Sequence, residues 1–162
     1  MATWQEFREA APAIAAAGER ILAPNGDGMA FLSTVRGDGG PRVHPVMPVL
    51  AVGELHVFVV SLSPKYADLL RDPRFAMHSQ GPPGGGEEFY ITGRARPVDD
   101  PRRRAAVREA SGGRLGGHDF EALFAFDLGR VLHTQWGNWG TAEAWPAYHK
   151  WRPGSPPTTF RP

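Results

Sequence analysis

Apolar and polar positions change period several times along the 162 residues. At the start the spacing is helical. Trp4, Phe7, Ala11 and Ile14 fall on one face, and Thr3 with Glu6 forms a capping box, which predicts one helix to about Ala17. From Met29 the pattern shifts to short β-branched and aromatic runs broken by Gly, Pro and Asp. Residues 29–35, 41–52, 55–60, 74–79 and 87–98 read as strands. Arg36-Gly37-Asp38-Gly39-Gly40 is a hairpin turn, and Gly53-Glu54 is a second. Ser63 suits a helix N-cap and Pro64 the first helical position, so a short helix is expected over 64–71. Asp99-Asp100-Pro101 opens another over 102–110, with its acids at the positive end of the helix dipole. Phe120 to Phe124 predicts a helical turn, and 124–134 the last strand or strands. Gly93, inside a strand, marks a bend or a close approach. Residues 24–28 and 81–86 read as loops, and the latter lacks the Lys-Ser/Thr of a phosphate-binding P-loop.

Successive strands joined by tight turns imply an antiparallel sheet. The expected fold is mainly β with capping helices (α+β), a small barrel of about six strands that leaves few exposed edges. One domain is expected over 1–152. Residues 153–162, rich in Pro, Ser and Thr, read as a disordered or loosely packed tail. The chain is long enough for a single core. A formal net charge of +1 gives no field favouring nucleic acid or an acidic membrane, and Arg102-Arg103-Arg104 reads as a solvated helix face. The absence of cysteine excludes disulfides and thiolate metal sites and fits a cytoplasmic protein. No signal peptide and no apolar run of transmembrane length is visible.

The most specific local feature is the passage from the strand at 55–60 through Ser61-Leu62-Ser63-Pro64-Lys65 into the short helix. Hydroxyls, free backbone N–H groups and a lysine gather at one helix N-terminus, which suits a phosphate or another anion. Lys65 is one of only two lysines, with Lys150. Pro45 and Pro48 cannot donate to a sheet ladder, so their strand is irregular or has an unpaired side.

Three stretches taken in order carry a family resemblance: Phe31 to Val46, Ser63-Pro64-Lys65 through Leu69-Leu70-Arg71-Asp72-Pro73-Arg74, and Glu88-Phe89-Tyr90-Ile91-Thr92-Gly93-Arg94-Ala95. Over about residues 28–100 the chain resembles the pyridoxamine 5′-phosphate oxidase-like family of flavin-binding split β-barrels. The resemblance implies a homodimer with FMN in the groove between the two barrels. It implicates Arg42 and Lys65 as phosphate charges and Ser61 and Ser63 as hydroxyl donors. Val43, His44, Pro45 and Val46 would line the flavin, Glu88 would contact it, and one of Trp136, Trp139 and Trp145 would cover the partner's cofactor, Trp136 being the position assigned.

A phosphate dianion suits an arginine fork, a lysine point charge and a helix N-terminus. Each residue also has a plainer reading: Arg42 as a strand-end surface arginine, His44 and His78 as half-buried strand residues, the tryptophans as core or interface packing. The catalytic residue is unknown. His44 is the best candidate because histidine titrates near neutrality. The histidine spacing is not that of a metal site. Two departures separate the chain from the oxidase itself: Pro64 stands where that enzyme has a basic residue, and its C-terminal basic pattern has no clear counterpart. The small-molecule substrate is therefore open. One alternative is a deazaflavin-dependent reductase drawing on Arg71, Arg74 and Arg94. The other is a non-enzymatic flavin- or haem-binding module, with His78 or His133 as axial ligand.

Overall fold

The structure is a computed structural model that describes residues 1–22, 28–79 and 85–162. The two expected loops fall largely outside the described residues. Helix α1 (Trp4–Ala10) opens on the expected capping box, in which the Thr3 N–H donates to the Glu6 carboxylate at 2.7 Å. Two helices stand where one is expected. Ala11 leaves helical geometry (φ −144°, ψ 63°) and α2 (Pro12–Leu22) starts at the next residue. Pro12 has no N–H to give and disfavours helical backbone at the residue before it. The apolar face survives the break, and Trp4, Phe7, Ala11 and Ile14 are all buried.

Among the described residues nine strands follow: β1 (Ala30–Val35), β2 (Pro41–Val46), β3 (Val49–Ala51), β4 (Glu54–Val60), β5 (Arg74–Ser79), β6 (Glu87–Pro97), β7 (Glu121–Gly137), β8 (Trp145–Trp151) and β9 (Thr158–Phe160). Helix α3 (Pro64–Arg71) separates β4 from β5, and α4 (Pro101–Ala110) separates β6 from β7. All the pairings are antiparallel, in the order β2-β1-β5-β6-β7-β4-β3, with β8 on β7 and β9 on β8.

Two expectations are corrected here. The strand count is not six, and the sheet is not closed. The edge strands β2 and β3 are joined only by Met47 and Pro48, so the sheet curls until its two ends are consecutive in sequence. Yet among the described residues no ladder bridges them. β3 pairs with Glu54–His56 of β4 alone, and Val57–Val60 have no strand on that side. This leaves a gap between β2 and the far half of β4.

The expected helical turn at 120–124 is instead the start of β7. Leu123, Phe124, Ala125 and Phe126 are all buried because β4 and β6 flank this stretch and side chains on both its faces are covered. Such a strand reads as a continuous apolar run with no alternation to betray it. Within the C-terminal segment, the exposed β9 pairs with β8 over Thr158–Phe160.

The main core joins α1 and α2 to one face of the sheet through Trp4, Phe7, Leu32, Met77, Phe89 and Ile91, among others. A smaller core of Val49, Val107 and Leu123 lies under α4. Gly93 sits at the bulge between β6 and β7, where a Cβ would collide with the Asp127 carbonyl oxygen. No helix among the described residues is long and apolar enough to cross a membrane.

Candidate functional site

The register of β1 and β2 decides which residues can act together. Thr34 faces Arg42, Leu32 faces His44 and Ala30 faces Val46; Ser33 and Phe31 oppose Val43 and Pro45. Alternation therefore puts Arg42, His44 and Val46 on the inner face and Val43 and Pro45 on the outer face. The four residues expected to line a ring together are split, two to a side. Val43 is 59% exposed beside the exposed Phe31.

Across the gap, β4 runs into the turn Ser61-Leu62-Ser63. The Ser63 N–H and hydroxyl both donate to the Val60 carbonyl, at 2.9 and 2.6 Å. The Ser63 side chain is thus occupied, and α3 starts without a side-chain cap. Ser61 is fixed by its N–H to the Phe120 carbonyl at 2.7 Å, and its hydroxyl has no partner among the described residues.

Lys65, in the first turn of α3, has neither ion pair nor hydrogen-bond partner among the described residues, and burial pushes its ammonium pKa down. The His44 imidazole is pushed down as well, first by burial and then by the charges of Lys65 and Arg42, with Asp68 pulling the other way. These mutual effects put Arg42, His44 and Lys65 in one electrostatic neighbourhood. The His44 Nε2 is buried with no hydrogen-bond partner.

Beneath them lies Asp68 on α3, its side chain 4% exposed. Its Oδ2 accepts from the Thr34 hydroxyl at 2.9 Å and from Arg42 Nε at 2.8 Å, and its Oδ1 accepts from Arg71 Nη2 at 3.0 Å. Burial alone would raise its pKa, but the bonds from Arg71, Thr34 and Arg42 hold the carboxyl below its ordinary range. Arg42 and Arg71 thus share one carboxylate, and Lys65 has none among the described residues. Sequence reasoning missed Asp68 altogether. The available signal was an acid next to Leu69, on the helix face that packs on the sheet.

Glu88 and Trp136 are not brought to this cluster within the chain. Both fall on the outer face, Glu88 across from Thr134 and 3.9 Å from His78, and Trp136 edge-on to Trp139 at 5.5 Å. A groove of about 680 Å³ also lies on that side, lined by Tyr90, Leu132, Lys150 and Arg152 among others, and Arg42 and Lys65 are not part of it. His133 is inward, 3.3 Å from Glu87 and stacked on His149 at 5.3 Å. No group of side chains suited to a metal ion occurs among the described residues.

The inner cluster fits a phosphate-bearing cofactor. Among the described residues it offers an unpaired lysine, an arginine whose Nη atoms have no hydrogen-bond partner, an orphaned imidazole nitrogen and an uncapped helix start.

No family model matches the chain, and no curated protein matches it in sequence. Solved structures do match in fold. A pyridoxamine 5′-phosphate oxidase-related, FMN-binding protein from Nostoc punctiforme superposes with a TM-score of 0.64 over 94% of this chain and 95% of its own, at 16% identity. The haem storage protein HutZ of Vibrio cholerae gives 0.58 over 74% and 89%, at 15% identity. An F420 reductase gives 0.57 over 70% and 94%, at 20% identity. The protein thus has the fold of the pyridoxamine 5′-phosphate oxidase-related FMN-binding proteins, as its sequence resemblance implied.

Proposed function

We propose that the protein is an FMN-binding oxidoreductase acting on a small molecule, working in the cytoplasm as a homodimer with the cofactor at the interface. One observation carries the reading. The unbridged gap between β2 and β4 is flanked by Arg42 and Lys65, two cations with unused donors, and by the orphaned His44 Nε2. Buried or half-buried donors without partners are costly, and an anion relieves that cost.

In this reading Arg42 and Lys65 hold the phosphate, and the Ser61 hydroxyl and the start of α3 add neutral donors. Bound FMN supplies the redox chemistry. In the free protein burial and the neighbouring cations lower the pKa of His44, a bound phosphate would oppose them, and His44 is the group best able to exchange a proton near the cleft. The dimer is supported by the apolar outer face around Phe31 and Val43, which also carries Glu88 and Trp136. A second copy seated there would supply those residues to its partner's cofactor.

Two other cofactors stay in the reading, since the fold is shared with an F420 reductase and a haem storage protein. Arg71, already in the cluster, favours a deazaflavin with a longer anionic tail. For haem, His78 is the more accessible ligand, since His133 is buried against Glu87. Titrating the purified protein with FMN, a deazaflavin and haemin, followed by absorption, separates the three. FMN uptake is expected. A Soret band with no flavin uptake would overturn the FMN reading.

A further inference from the structure

We propose that Asp68 is a positioning residue, which holds Arg42 side-on through Nε and so leaves both Nη groups for an anion. The inference rests on reading Arg42 as the phosphate-binding arginine. Its basis is the geometry of one carboxylate. A carboxylate facing an arginine usually takes two N–H groups in a fork and saturates them. Here Asp68 takes only Nε, at 2.8 Å, and neither Nη has an acceptor among the described residues.

The carboxylate is anchored independently of Arg42. The Thr34 hydroxyl holds Oδ2 from β1 at 2.9 Å. Arg71 holds Oδ1 at 3.0 Å, and its Nη2 is itself tied to the Val35 carbonyl at 2.6 Å. Thr34 is also the register partner of Arg42, so the hydroxyl and the guanidinium meet the same oxygen from adjacent strands. Buried and fully engaged, Asp68 is a fixture and not a free acid. An unrestrained arginine at a strand end would lose rotamer freedom when it captured an anion. A restrained one has lost it already, which improves affinity without a new contact.

The test is Asp68→Asn, which keeps the volume and removes the charge, read in two ways. The first is ¹⁵N relaxation of the arginine Nε–Hε groups. Arg42 should be ordered in the wild type and mobile in the variant, with the exposed Arg36 unchanged. The second is parallel titration with FMN and with riboflavin, which lacks the phosphate. FMN affinity should fall on the order of tenfold, the scale of ordering one long side chain, with riboflavin unchanged. In an Arg42→Ala background the same substitution should add no further loss. Thr34→Val, which removes one anchor and keeps the shape, gives a milder version should Asp68→Asn fail to fold.

Equal Arg42 order in wild type and variant would overturn the proposal. So would a lowered melting temperature with unchanged FMN affinity, or an equal loss in the Arg42→Ala background. Dependence of Arg42 order on Asp68 in a protein that takes up no FMN would sustain the positioning role and sink the phosphate reading instead.

Discussion

Arg42, Lys65 and His44 come from two segments about twenty residues apart and meet at one gap. Each was visible in the sequence for a local reason. Lys65 follows a strand, a serine-rich turn and a proline, and that order fixes it at a helix start. Their orientation was less visible. Val43 and Pro45 were grouped with His44, but strand alternation sends them to the other face. Asp68 was invisible because its meaning depends on Thr34, which lies 34 residues earlier. Replacing Arg42 or Lys65 by Ala should weaken FMN binding by about 1–3 kcal/mol each, the range for a hydrogen bond to a charged group. Riboflavin binding, measured alongside, should change little. Equal losses for both flavins would mean that these residues act on the ring or on the fold, not on the phosphate.

The elements were mostly legible where a helix cap or a tight turn punctuates the chain. They were misread where tertiary context decides. β7 is buried by neighbours on both sides, so its first turn of sequence lost the alternation that identifies a strand. The close approach at the β6–β7 bulge was legible from Gly93, which marked a bend or a close approach. Gly93→Ala should destabilise the protein by at least about 2 kcal/mol, because backbone must move to admit the methyl group. A denaturation midpoint equal to that of the wild type would contradict the close approach.

The layer between α4 and the sheet sets an acid limit. His56 on β4 is fully buried, with neither ring nitrogen hydrogen-bonded. Burial lowers its pKa most, Glu54 opposes this, and Arg103 and Arg96 add to the lowering. The unfolded chain therefore takes up a proton that the folded one resists. Stability is kept above about pH 6.5, the ordinary histidine value, and lost as pH falls towards the lowered folded value. His56→Leu should remove part of that loss while changing stability little at pH 8. His133, also lowered by burial, accounts for another part. An unchanged acid slope in His56→Leu would mean that other groups set the limit.

For the whole molecule, a closed or nearly closed barrel was expected, and the sheet does not close. Its ends are neighbours in sequence but not in hydrogen bonding, and the opening between them carries the candidate site. The outer face carries the other set of expected contacts, which the chain does not bring to its own cleft. The sequence could show the residue types of both sets but not that a sheet would stand between them. Sedimentation should give a dimer, and Val43→Asp, a charge at an exposed apolar position, should shift it towards monomer. A wild-type monomer at all concentrations would leave Glu88 and Trp136 without a cofactor to meet.

The most direct test of the cleft as a phosphate-anchored flavin site is to titrate the wild-type protein with FMN and riboflavin in parallel, following quenching of flavin fluorescence. Saturable FMN uptake, at least about tenfold tighter than riboflavin, is the predicted result. Equal affinity for the two flavins, or no uptake of FMN, would contradict it.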